Sequence, residues 1–121
     1  MTTETRHTKA ITARKVIGTK VLDASGTKIG SVEDVVLDKT SNSIMFAVVG
    51  FGSFLGIGEK YHPIPWRELN YDETQGGYVV GFSKEQLSTA PADSIESLTR
   101  DDGRAFRDRA YSHYRTAPDW H

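Results

Sequence analysis

The chain has 121 residues, no cysteine and a formal net charge of −1, with 37% hydrophobic and 26% charged residues. That length suits one domain whose core needs neither disulfide nor metal, and the missing thiols exclude disulfides, thiolate metal sites and cysteine nucleophiles. The longest apolar run, residues 44–49, falls far short of the roughly 20 residues that span a bilayer, and the polar first ten residues carry no signal segment, so a cytoplasmic location is expected.

Charge is spread unevenly. Residues 1–22 carry a net +4, residues 23–98 a net −6 and residues 99–121 a net +1. An acidic body binds a phosphate backbone poorly, because affinity there comes from Lys and Arg displacing counterions, so direct nucleic-acid binding is not expected. The basic N-terminal segment reads as a solvated tail, with peripheral contact to an anionic membrane as the alternative.

Residues 1–13, polar and Thr-rich, are expected to form a flexible lead-in. The segment "KVIGTKVLD" (15–23) reads as a strand, and "ASG" (24–26) as the turn after it, with Gly26 as the turn glycine. In "TKIGSVEDVVLD" (27–38) the alternation breaks: Ile29, Val35 and Leu37 share one parity, Gly30, Val32 and Val36 the other. A bulge near 32–34 is predicted, as where sheets curl into barrels. "KTSN" (39–42) is a turn by composition.

The strand "SIMFAVVGF" (43–51) is apolar on both parities, with Ile44, Phe46 and Val48 on one side and Met45, Ala47, Val49 and Phe51 on the other. One set fills an interior; the other needs cover from a helix, a loop or a second protein. Next comes "FGSFLGIGEKYHPIPW" (51–66). Gly52, Gly56, Gly58 and Pro65 are read as structural turn residues between two strands, and Phe54, Leu55 and Ile57 as apolar side chains at the loop tip, a candidate contact point. "EKYHPI" (59–64), "WREL" (66–69), a turn in "YDETQGG" (71–77) and "YVVGF" (78–82) follow. Strands at such spacing predict a small sandwich or barrel.

At Ser83 the pattern changes. "SKEQ" (83–86) is a capping box opening a short helix that stops before Pro91, and "DSIE" (93–96) offers a second, weaker cap. A longer helix is predicted over roughly 104–115, with Phe106, Ala110, Tyr111 and Tyr114 on one stripe. That stripe is expected to cover the outer face of the sheet or a neighbouring subunit. Phe106, Tyr111 and Tyr114 therefore join the loop tip as the candidate interaction surface.

Catalytic motifs fail on inspection. "GFGSFLG" (50–56) approaches the dinucleotide fingerprint, but Leu55 stands where Gly or Ala is needed, and Pro63 and Pro65 leave no room for the helix that would face a pyrophosphate. Gly58 is followed by Glu59, Lys60 and Tyr61, which rules out a P-loop. Ser53 lacks the flanking glycines of a nucleophile elbow. His7, His62, His113 and His121 have no metal-ligand spacing, and adjacent carboxylates such as Glu33 and Asp34 point to opposite faces of a strand. No cofactor is expected.

The ordered string from "GTKVLDASGTKIGSVEDVVLDKTSNSIMFAVVG" to "GGYVVGFSKEQLSTAP" resembles the PRC-barrel family, over about residues 12–92. Its marks are Gly26 with Lys28-Ile29-Gly30, Glu33-Asp34 with Val35 and Leu37, Ala47-Val48-Val49, the Gly56/Gly58 loop, and Ile64-Pro65-Trp66. The resemblance implies a mainly β fold: a small PRC-type β-barrel of about six strands, followed by short C-terminal helices. Relatives act through protein contacts. In the photosynthetic reaction-centre H subunit such a barrel caps a membrane complex, and in a ribosome-maturation factor it docks on a ribosomal protein. The chain is expected to divide into a lead-in (1–13), the barrel domain (14–92) and a helical extension (93–121). The expected role is a non-catalytic interaction module with a protein partner, self-associating as a homodimer. The alternatives are an accessory factor in RNA or ribosome maturation, and an enzyme with a dispersed hydrolytic site using His62.

Overall fold

The computed structural model describes residues 9–52 and 60–115, and of residues 101 and 102 the backbone only. A helical turn, α1 (Ala13–Val16), precedes β1 (Lys20–Leu22), β2 (Lys28–Leu37), β3 (Ile44–Gly50) and β4 (Tyr61–Ile64). A 3-10 turn (Trp66–Glu68) leads to β5 (Asn70–Asp72) and β6 (Gly77–Val79). Three short helices follow, α2 (Lys84–Ser88), α3 (Ile95–Leu98) and α4 (Arg104–His113), with a second 3-10 turn at Arg100–Gly103 before the last.

The strands form one six-stranded sheet in the order β4-β3-β2-β1-β6-β5. Only the β1–β6 pair is parallel among these ladders. The two edge strands, β4 and β5, are consecutive in the chain. Laid flat, six strands would hold their outer members about 24 Å apart. The chain from Ile64 to Asn70 reaches at most about 22 Å when fully extended, and less here because the connection contains a 3-10 turn. The sheet must therefore curl until its edges approach. No ladder joins β4 to β5 among the described residues. The expected closed barrel is thus corrected to a strongly curled sheet with an open seam. The mainly β character, six strands and trailing helices stand as expected.

The parity break in β2 has the predicted cause. Its register against β3 shifts between Val32 and Asp34, leaving Glu33 as the extra residue of a bulge. Two other expectations are corrected. Residues 15–23 are not one strand: the Lys15 and Val16 amides donate to the Thr12 carbonyl, closing a helical turn that sends Val16 into the core. Residues 66–69 are not a strand either. Glu68 and Leu69 donate to Pro65 and Trp66, a turn that the crossing between sheet edges requires, and pairing resumes at Asn70.

Both faces of β3 are buried, each in its own cluster. Ala47, Val49 and Phe51 join Val21, Ile29, Val32, Ile64 and Tyr78 inside the curl. Phe46 and Val48, with Met45, face outward and pack with Leu98, Ile95 and Phe106. The cover that the two-sided strand demands comes from the chain's own C-terminal helices. These helices are placed by local chemistry. Ser83 and Gln86 form the predicted capping box at the start of α2. Ser94, not Asp93, caps α3 by accepting from the Ser97 amide at 3.2 Å. Asp93 is instead used in the backbone, exchanging two hydrogen bonds with Tyr61 on the outer edge of β4. α4 starts from Gly103 and ends at His113, two residues short of expectation.

Candidate interaction surface

Of the six residues expected to form a contact surface, three lie outside the described residues: Phe54, Leu55 and Ile57, together with the turn residues Gly56 and Gly58. The other three sit on α4, and burial corrects two of them, Tyr111 and Tyr114. Tyr111 and Tyr114 are only 3% and 6% exposed. The Tyr114 ring packs against Phe82 at 4.3 Å between centroids, in the inner cluster. Phe106 is half-buried against the outer cluster, with the Arg109 guanidinium 4.9 Å over its ring. The helical period correctly marks a buried stripe, but the burial is intramolecular: the stripe covers the sheet and offers nothing to a neighbour at Tyr111 or Tyr114. The turn assignments hold at Gly26 and Gly52, whose φ of 90° and 52° are left-handed. Pro65 flanks the 3-10 turn as its N-cap.

What remains open is at the other end of the sheet. Among the described residues β5 has a partner on one side only, β6. Tyr71, in its middle, is 48% exposed and stands opposite Tyr78 in the ladder. Their rings meet edge-on at 5.2 Å, and Tyr78 in turn meets Trp66 at 5.6 Å. A row of three aromatic rings thus runs from the interior out to the open edge. Burial raises the Tyr78 phenol above its usual range, with Tyr71 adding to the effect. Such a row is a rigid, amphipathic surface of the kind that recurs at protein contacts. The sequence hid it because Tyr71 opens the polar run "YDETQGG", whose composition signals a turn. Leu37, at the far end of β2, is also exposed, at 60%.

Three carboxylates serve the turns. Asp23, Asp38 and Asp72 each accept backbone amides across a turn, at Ser25 and Thr27, Thr40 and Ser41, and Thr74 and Gln75. Hydrogen bonding holds the three carboxyls below their usual range: the Ser25 hydroxyl acts first at Asp23, the Thr40 amide first at Asp38 and the Gln75 side-chain amide first at Asp72, with the turn amides adding to each. His62 is 1% exposed, pairs with Val49 in the ladder, and meets the Phe51 ring edge-on at 5.2 Å. Neither ring nitrogen has a hydrogen-bond partner. Burial pushes its pKa down from 6.5 to about 4, and His113 acts in the same direction. His113 itself lies on α4 with Nε2 2.7 Å from the Gln86 carbonyl, tying α4 to α2. Its outer side borders an open groove with Lys60, Arg109 and Asp108, of mixed charge. Among the described residues no cluster of His, Asp and Glu could hold a metal ion, and no helix is long and apolar enough to cross a membrane.

A family model described as the PRC-barrel domain matches residues 9–87. The match takes in all six strands and stops within α2, so α3 and α4, which cover the outer face of β3, lie beyond it. No curated protein matches the chain.

Proposed function

The chain belongs to the PRC-barrel domain family, and on that premise we propose that it is a non-catalytic protein-interaction module that self-associates through the open β5 edge. The observation that carries this reading is Tyr71: a large aromatic residue, 48% exposed, in the middle of a strand whose outer edge is unpaired among the described residues, and backed by Tyr78 and Trp66. Unpaired strand edges are templates for pairing with another chain unless something blunts them. A two-fold pair of such edges is the simplest closed assembly. The non-catalytic part of the reading is supported by His62, the histidine a dispersed hydrolytic site would use. It lies sealed in the core with no hydrogen bond on either ring nitrogen.

Sedimentation velocity at tens of micromolar tests the reading. The wild-type chain is expected to sediment as a dimer, and Tyr71→Ser as a folded monomer whose thermal midpoint falls only modestly, through the lost ring contact with Tyr78 and the lost association. A wild-type chain that stays monomeric throughout that range overturns self-association. A dimer that survives Tyr71→Ser moves the contact away from β5.

A further inference from the structure

β4 is the strand on which the two cores meet. His62 and Ile64 point into the curl, where Ile64 belongs to the inner cluster, whereas Tyr61 packs with the outer one. It is also weakly held. It has four residues, one of them Pro63, which has no amide to donate. It pairs with β3 on one side and, among the described residues, on the other only through the isolated bridge between Tyr61 and Asp93. At its centre sits a polar ring that is 1% exposed and has no hydrogen bond on either nitrogen. Buried imidazoles are normally partnered, and an orphan of this kind calls for an explanation.

We propose that β4 is an acid-sensitive latch: protonation of His62 expels its ring from the inner face, and β4 leaves β3 and Asp93 while the β1–β2 ladder holds. The surroundings give an imidazolium nothing to stay for. Across the ladder His62 faces Val49, and its ring meets Phe51, both apolar. From α4 it faces His113, which opposes a second positive charge, and no carboxylate among the described residues acts on it. The charged ring is therefore stable only in water. The open form binds a proton near the ordinary histidine value of 6.5 and the closed form only near 4, so opening grows as pH falls through that window and is constant above it. Because Tyr61 moves with His62, the same event releases the bridge to Asp93 and loosens the C-terminal helices on the outer face.

Amide hydrogen exchange on the full chain, corrected for intrinsic rates, tests this. The reporters are the Tyr61 and Asp93 amides, which bond across the bridge at 2.9 and 3.0 Å; the references are Gly18 and Val32, which tie α1 and β1 to β2. Opening at the reporters is expected to rise roughly twenty-fold between pH 7 and pH 5, with the references nearly unchanged. In His62→Leu the reporters should lose that dependence; His62→Phe is the second variant should leucine fail to fold. The proposal is overturned if reporters and references accelerate together, which means global acid unfolding, or if the acid dependence survives the loss of the imidazole.

Discussion

The carbonyl oxygen of Gly50 occupies the space that a Cβ on Gly30 would need, where β2 and β3 pass each other at the start of the bulge. The Phe51 side chain and Cα stand 3.0 and 3.2 Å from the same point. Backbone on one side and a core ring on the other leave no flexible group to yield. Gly30→Ala is therefore expected to cost about 2–3 kcal/mol through overpacking, read as a lower urea midpoint at constant slope. Gly81→Ala is the control, since a Cβ there meets nothing within 4 Å. It should be neutral or stabilise by about 0.5 kcal/mol, by restricting the unfolded chain. Equal losses in the two variants would show that the close approach at Gly30 does not set the effect.

The capping box at α2 makes a second prediction. The Ser83 side chain accepts from the Gln86 amide at 3.1 Å, and the Gln86 side chain accepts from the Ser83 amide at 3.0 Å. These bonds start the helix that buries Leu87. Ser83→Ala should cost about 1 kcal/mol. Gln86→Ala should cost less, and the double variant less than the sum, because one opened box cannot be opened twice. Strict additivity in denaturation would mean that the two bonds act independently.

The bulge and this box were legible in sequence for the same reason: each is written in neighbouring residues, as a parity break in one and a four-residue pattern in the other. That both faces of β3 are buried was legible too, because no half-exposed strand reads "IMFAVVG"; Met45, expected beside Ala47 and Val49, instead packs in the outer cluster, where a second register shift leaves it as an extra residue. What covers its outer face was not, since the packing of Leu98 and Phe106 on Phe46 joins segments some fifty residues apart. The same limit explains Tyr111 and Tyr114, whose helical spacing marks a buried stripe without saying whose surface buries it. α1 and the turn at 66–68 were missed because β-branched and aromatic residues there signal strands. Tertiary demands override them: Val16 must reach the core, and the chain must cross from one sheet edge to the other.

Tyr114 carries a buried hydroxyl with no hydrogen-bond partner, and its burial raises the phenol above its usual range. Its ring, in contrast, packs well on Phe82. Tyr114→Phe keeps the stacking and removes the unsatisfied group, so it should be neutral or stabilise by up to about 1 kcal/mol. Tyr114→Ala should cost about 3–5 kcal/mol by opening a cavity in the inner cluster. A loss beyond about 1 kcal/mol in the phenylalanine variant would mean that the hydroxyl is bonded in solution.

The last prediction separates packing from association. Leu98 is fully buried on the outer face of β3, beside Phe46 and Val48, and these are equally inaccessible. Leu98→Ala should cost about 2–4 kcal/mol yet leave the sedimentation coefficient of the folded protein unchanged, because the side chain faces its own sheet and not a partner. Ending the chain at residue 92 goes further: it strips α3, α4 and the Asp93 bridge and bares an apolar strip along β3. That fragment should bind a hydrophobic dye and associate without limit, and Tyr71→Ser should not reverse this. A truncated chain that associates no further than the full chain and stays dye-silent would show that the outer face closes without the C-terminal helices, and the source of the cover on β3 would have to be sought in the residues that remain.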